Sequence, residues 1–528
     1  MTARKDSDFD VVVVGAGHNG LVAAAYLARA GLSVLLVEAR SSVGGTASTE
    51  SFAGARVNIC NCDHLAFRTT GISEELDLAT HGLRYIDIDP PQINGDWTSG
   101  RMWEMHHDLE ATLDALSRAH PTQVRNYRRY AAAMIPLARL VVSAASGRPR
   151  RRRLAGRALA AGPATLASML RMSRMSAADV MRTFFDDDAV PAAAMVEGPV
   201  VWGVSPETPG TGLGALGLAL RHVQKVGRPV GGSGALTDAL LAAFLSAGGL
   251  LRTSTAVVSL QCEGRRISSV RTSDGAVVTA RAVLSACDPR RTFVEWLRDP
   301  PSRADHLVER WRASAPAEGY ESKIDAVLDS APVFTALPAA SPLAGVPVAS
   351  TCVIAPSTAE LDVGASMLSR GGFMPRMALL ANVPTVADPG LAPEGRHVLS
   401  LEALYTPYAP TGGWTRAEPE RWLEQLARWT EPGLLESIVD WRVLTPTDYE
   451  KDFHLPRGHA TSFAGGPLAA FLGRDRALTR YETPVQGLWL TGAATFPGAG
   501  VWGASGKNAA LSILESLRGS RVARGSRP

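Results

Sequence analysis

Cysteine is scarce in this chain of 528 residues: Cys60, Cys62, Cys262, Cys287 and Cys352 are the five present, and no C-x-x-C pair occurs. So few cannot staple a fold, and a dithiol motif for shuttling electrons is excluded. A reducing, cytoplasmic compartment is the expectation. Charge of one sign is also lacking, since 54 basic and 51 acidic residues leave a formal net charge of +3. No global field therefore selects a nucleic-acid partner. The chain contains no uninterrupted apolar run of the roughly 18–20 residues that a membrane-spanning helix needs. The polar segment 1–9 has no signal-peptide anatomy, and no repeat of fixed period is present.

One local excess of charge stands out. Arg148, Arg150, Arg151, Arg152 and Arg153 lie between the apolar stretches 134–145 and 154–170. Each basic residue adds about 1 kcal/mol near an anionic membrane surface. A peripheral membrane contact is thus one expectation, and a solvated loop is the other.

Glycine is plentiful, with 50 residues, and it is placed with purpose. Residues 10–14 form a valine run that reads as a buried parallel strand, residues 21–30 as an alanine-rich helix and residues 33–37 as a second strand. Between the first strand and the helix stands Gly15-Ala16-Gly17-His-Asn-Gly20. This pattern permits a tight turn and lets backbone N–H groups approach a pyrophosphate at the helix N-terminus. Glu38 ends the second strand, where a carboxylate accepts hydrogen bonds from both ribose hydroxyls of an adenosine and repels a 2′-phosphate. A second glycine pair follows in Glu38-Ala39-Arg40-Ser-Ser-Val-Gly44-Gly45-Thr46.

The same α/β pattern returns twice. Gly231 and Gly232 precede a helix predicted over 236–247, a strand over 255–260, a hairpin turning at Ser273-Asp-Gly275, and a further buried strand over 282–286. Gly487-Leu-Trp-Leu-Thr-Gly492 resumes it near the C-terminus. The expected fold class is α/β: a discontinuous Rossmann-type dinucleotide domain from residues 1–60, 226–300 and 478–520. An interwoven mixed α+β substrate domain would come from 61–225 and 301–477, with a flexible tail at 521–528. Helical stretches are expected over 131–145 and 155–170 of the substrate domain.

These blocks resemble the phytoene desaturase and amine oxidase superfamily of flavoproteins, and most closely its phytoene dehydrogenase-like branch. The most specific block is Gly487-Leu-Trp-Leu-Thr-Gly-Ala-Ala-Thr-Phe-Pro-Gly-Ala-Gly-Val-Trp-Gly-Ala-Ser-Gly-Lys-Asn-Ala-Ala510, which is similar to the family's C-terminal flavin motif. The resemblance implies FAD as cofactor, held by Gly15, Ala16, Gly17, Gly20, Glu38, Ala39, Arg40, Gly44, Gly45, Thr46, Gly492, Ala493, Gly500 and Val501. Val257, on a family strand whose backbone touches adenine, would join them. Many relatives carry an acid where this chain has Ala493, so one hydrogen bond to the ribityl chain, about 0.5–1.5 kcal/mol, would be missing.

The same resemblance implies that Lys323, in Tyr320-Glu-Ser-Lys-Ile-Asp-Ala, holds a water near flavin N5; the alternative is a solvated strand-end lysine. His454 and His459 flank Pro456-Arg-Gly458, and His459 is a candidate acid or base. Cys60-Asn-Cys-Asp-His64 does not match a closed zinc spacing, and no metal is expected. With only one complete dinucleotide fingerprint, direct reduction by NADPH is disfavoured.

The implied function is an FAD-dependent oxidoreductase that moves a hydride from a largely apolar, isoprenoid-like substrate to the flavin, with oxygen or a quinone as electron acceptor. Amine oxidation is the alternative, and a redox-neutral flavin isomerase or a noncatalytic flavin-binding protein is the alternative of another class. A homodimer is compatible with the family, but no interface signal is present in the sequence.

Overall fold

The structure is a computed structural model that describes residues 8–60, 63–314, 320–459, 462 and 466–525. Its first sheet is organised around the valine run. Val11, Val12 and Val13 are wholly buried in the Phe9–Val14 strand, as β-branched residues covered on both faces should be. That strand pairs in parallel with Val34–Val37 on one side and with Val277–Ser285 on the other. Leu250–Arg252 and Leu488–Leu490 extend the sheet at its two sides. Strands far apart in the chain thus share one sheet, and the helices His18–Arg29, Gly234–Ser246 and Ala504–Gly525 bring side chains to the core on one side of it.

The hairpin and the buried strand expected over 282–286 are not separate elements. Val277–Ser285 is one continuous strand that pairs antiparallel with Arg266–Thr272 at its start and parallel with the first strand further on. The connection turns where expected, with Gly275 at φ +85° donating its N–H to the Thr272 carbonyl. The helix expected over 155–170 is two helices, Arg151–Ala161 and Pro163–Met172. Gly162, at φ +84°, and the proline after it end the first and start the second.

Core packing crosses the domain boundaries expected at 60 and 300. Phe67, Ile72, Leu76, Leu78 and Leu83 bury against the first helix and strand, and Leu307, Val308 and Trp311 bury on the opposite face of the same sheet. Apolar residues of 67–83 and 305–313 therefore pack with the dinucleotide sheet. Conversely, the hairpin of Thr49–Phe52 and Ala55–Asn58 sets Ala55 and Val57 against Val327 and Val398 of the substrate domain. The segment 521–528, expected as a tail, is helical as far as Gly525; residues 526–528 lie outside the described residues, as do residues 1–7.

The substrate domain is built on a seven-stranded sheet in the order Ile438–Leu444, Glu321–Leu328, His397–Leu404, Leu379–Asn382, Thr351–Ala355, Gln92–Asp96, Met102–Met105. Register divides its residues sharply. Ile324, Ala326, Leu399, Leu401, Ala381 and Ile354 enter a large apolar core with the helical cap. Glu321, Lys323, Asp325, Ser400, Glu402, Asn382 and Thr351 fall on the other face, and they are buried as well. That polar face is turned toward the dinucleotide domain. Arg228, beside the returning glycines, donates to Asn382 Oδ1 at 2.6 Å, and the 49–58 hairpin packs on the same side. Among the described residues no helix is long and apolar enough to cross a membrane.

Candidate cofactor site

In an open parallel sheet the ligand crevice lies beyond the carboxyl ends of the strands. Here the first strand runs into Gly15, Val34–Val37 into Glu38, Val277–Ser285 into Cys287 and Asp288, and Leu488–Leu490 into Gly492. All of these line one continuous cleft. Gly17, Gly20, Ala39, Arg40, Gly44, Gly45, Thr46, Val257 and Ala493 line it too, so most of the sequence-predicted cofactor residues converge.

Glu38 lines the end of the cleft where the adenosine is expected. Its carboxylate accepts from the Ala16 N–H at 2.7 Å and from the Arg40 N–H at 2.9 Å, which fixes both oxygens while leaving each a second lone pair. Ala16 does not line the cleft: its side chain is buried, and its contribution is that backbone donor. Gly15 has φ +95°, and a Cβ there would stand 2.8 Å from Cys287 Sγ, so the turn is closed to other residues.

Gly500 and Val501 are not among the cleft-lining residues. His18, which is, reaches the Gly500 backbone carbonyl. The Asn19 side-chain amide lies 2.9 Å from His18 Nε2, an arrangement that suits a neutral imidazole with Nδ1 protonated. Burial pushes the His18 pKa down to about 4, with the Gly500 contact opposing. The C-terminal motif is thereby tied to the first glycine turn.

The flavin ring is expected at the other end of the cleft, beside Gly492. Gly492 donates to Ser505 Oγ at 3.1 Å at the N-terminus of the Ala504–Gly525 helix. The positive end of that helix dipole would favour negative charge on a reduced flavin. Ala493 presents only a methyl group. Ala493→Asp is expected to raise FAD affinity by roughly 2- to 10-fold, since one net hydrogen bond is worth about 0.5–1.5 kcal/mol; fluorescence titration of the two proteins with FAD checks it.

Several lining residues were not foreseen. Cys287, Asp288 and Arg291 follow the Val277–Ser285 strand, and their position just past a buried strand was the available signal. Burial pushes the Cys287 thiol up to about 12, so it stays protonated. Phe453 and Leu455 reach the cleft from the far end of the chain, and the Arg40 guanidinium lies 4.2 Å from the Phe453 ring centroid.

Of the two histidines flanking Pro456–Gly458, it is His454 that lines the cleft. His459 packs edge-on against Tyr320, with ring centroids 4.7 Å apart. Lys323 is neither solvated nor on the cleft wall; its side chain is wholly buried with its ammonium on Asp325. The Cys60–His64 run also disperses. Asp63 pairs with Arg228, His64 lies within hydrogen-bond distance of Tyr85 and Ser233, and Cys60 turns to Glu321; Cys62 lies outside the described residues. In the arginine run, Arg148 and Arg150 both meet Glu515, and Arg151 donates to the Leu472 carbonyl.

Comparison with known proteins agrees with this geometry. An NAD(P)-binding Rossmann-like domain matches residues 13–76, and a flavin containing amine oxidoreductase domain matches residues 104–318. The chain is 29% identical to pyridine nucleotide-disulfide oxidoreductase domain-containing protein 2 of Mus musculus, over 98% of this chain and 95% of that protein. It is 28% identical to the lycopene-forming phytoene desaturase of Pseudescherichia vulneris, over 96% of this chain and 99% of that one. The structure of putrescine oxidase bound to putrescine shares its fold, with a TM-score of 0.62 at 18% identity over 96% of this chain and 99% of that one. These matches support placing the chain in the flavoprotein superfamily that holds the phytoene desaturases and amine oxidases, as an oxidoreductase whose cofactor is FAD.

Proposed function

We propose that this chain is an FAD-dependent dehydrogenase that takes a hydride from a largely apolar, isoprenoid-like substrate, held between the flavin end of the cleft and the polar inner face of the seven-stranded sheet. The observation that carries this reading is the pairing of charge on that face: Lys323 and Arg442 with Asp325, and Arg228 with Asp63. A charged substrate would have to displace buried pairs, whereas an apolar one leaves them intact. The likeness to a phytoene desaturase along the chain supports the same substrate class.

When bound, FAD supplies the two-electron acceptor. The chain's own work is positioning: the glycine turn and Glu38 would hold the adenosine end, and the Gly492–Ala494 segment the ring end. Oxygen or a quinone would take the electrons onward. A second reading, amine oxidation, has one observation in its favour. Glu321 and Glu402 place two carboxyls on the inner face, where a substrate ammonium would find opposite charge.

The purified protein is expected to show flavin bands that denaturation releases and that anaerobic addition of isoprenoid substrates bleaches, with a product lighter by two hydrogens. Bleaching by amines alone, with carbonyl products, would favour the second reading, and a product of unchanged mass would mean isomerisation. Flavin that no substrate of either kind reduces would leave a noncatalytic flavin protein.

A further inference from the structure

Removing two hydrogens from adjacent atoms yields one hydride and one proton, and a dry site needs somewhere to put the proton. The inner sheet face holds a group suited to it. Glu321 and Glu402 lie on neighbouring antiparallel strands, and together with Cys60 they bring two carboxylate oxygens and a thiol within 4.8 Å of one another. Glu402 is 4% exposed, and its Oε1 is buried without a hydrogen-bond partner among the described residues. An ionised carboxylate in that position would be strongly destabilised, and two neighbouring carboxylates disfavour ionising together.

The charges around the pair do not cancel it. Lys323, on the same face, has its ammonium on Asp325, which also accepts from Arg442 Nε at 3.1 Å. Cys60 Sγ is 3.8 Å from Glu321 Oε1, the Tyr449 hydroxyl beside Glu321 donates to the Ile59 carbonyl at 2.9 Å, and Asp63 adds further negative charge toward Glu402. Burial raises both carboxyls, Glu402 further through the charge of Glu321, with Lys323 opposing in each case. An outlet exists as well. The Tyr320 hydroxyl feels the Glu321 carboxyl beside it, Tyr320 is only partly buried, and its ring meets His459, which feels Asp288 on the cofactor cleft.

We propose that Glu321 and Glu402 hold one proton between them and act as a proton-accepting station, reached through Tyr320, for the proton that the substrate releases as its hydride leaves. The balance closes on the reading given above. One C–H bond breaks with its electron pair going to the flavin, and the neighbouring X–H bond breaks with its pair forming the new double bond. Its proton passes to the pair, which goes from singly to doubly protonated. As the station acts through Tyr320, both glutamates are positioning residues in this scheme.

Infrared difference spectra of the FAD-loaded protein, recorded near neutral pH in H2O and D2O, test the shared proton without any substrate. The wild type is expected to show the carbonyl stretch of a protonated carboxyl, shifted by deuterium and lost in Glu402→Gln. No such band, or a stoichiometric divalent metal found in the cluster, would overturn the proposal while leaving the hydride chemistry untouched. In turnover, Glu402→Gln is expected to lower kcat by roughly 10²–10⁴-fold with little change in KM, with Glu402→Asp recovering part of the loss. Tyr320→Phe should slow the step while keeping the infrared band. Unchanged kcat and pH profile in Glu402→Gln would also overturn the role.

Discussion

Glu38→Gln should yield a folded protein that binds FAD roughly 10- to 150-fold more weakly than the wild type, because a hydrogen bond to a charged group is worth about 1.5–3 kcal/mol. The two carboxylate oxygens are already engaged by the Ala16 and Arg40 N–H groups, so the side chain cannot turn to accommodate a change. An amide in its place directs its NH2 at one of those N–H groups, donor against donor. The glutamine must then lose a backbone contact or swing away from the ribose. The loss would appear as a higher Kd in fluorescence titration with FAD, while the melting temperature of the FAD-free protein changes little. An unchanged Kd would remove Glu38 from the ribose site.

This residue was legible from sequence because the nucleotide fingerprint is local. Strand, glycine turn, helix and acid follow one another within residues 9–38, and each imposes its own residue preference. The C-terminal motif was legible for the same reason. The carboxyl pair was not. Glu321 and Glu402 are distant in sequence and become neighbours only through the register of Glu321–Leu328 against His397–Leu404. A sequence pattern of Glu, Lys and Asp at alternate positions of a strand reads as a solvated face, yet all eight residues of Glu321–Leu328 are buried. The polar residues are inside because another polar domain covers them, and alternation alone carries no sign of which face that domain takes. Packing crosses the expected boundaries at 60 and 300 for a related reason: Phe67 and Trp311 are ordinary apolar residues whose choice of core is made in three dimensions.

Gly17→Ala and Gly20→Ala should fail in different ways, and the contrast separates the fold's need for glycine from the cofactor's. A Cβ on Gly20 would lie 2.0 Å from the Gly15 carbonyl oxygen and 3.1 Å from the Ala286 Cβ, so the helix start must move off the strand end. Overpacking of this kind costs typically about 1–3 kcal/mol and can cost more when backbone is displaced. Gly20→Ala is therefore expected to lower the melting temperature of the FAD-free protein and to abolish binding, since the shifted helix no longer aims its N–H groups at the pyrophosphate. A Cβ on Gly17 meets nothing within 4 Å, and Gly17 has φ −66°, which any residue adopts. The protein alone gives no reason for glycine there, so Gly17→Ala should melt like the wild type without FAD. The space beside Gly17 is nonetheless where the backbone must approach the diphosphate, and a methyl group in it should weaken FAD binding severely. Calorimetry of the FAD-free proteins with flavin titration of each gives both readouts. If Gly17→Ala binds FAD as well as the wild type does, the pyrophosphate does not run over this turn.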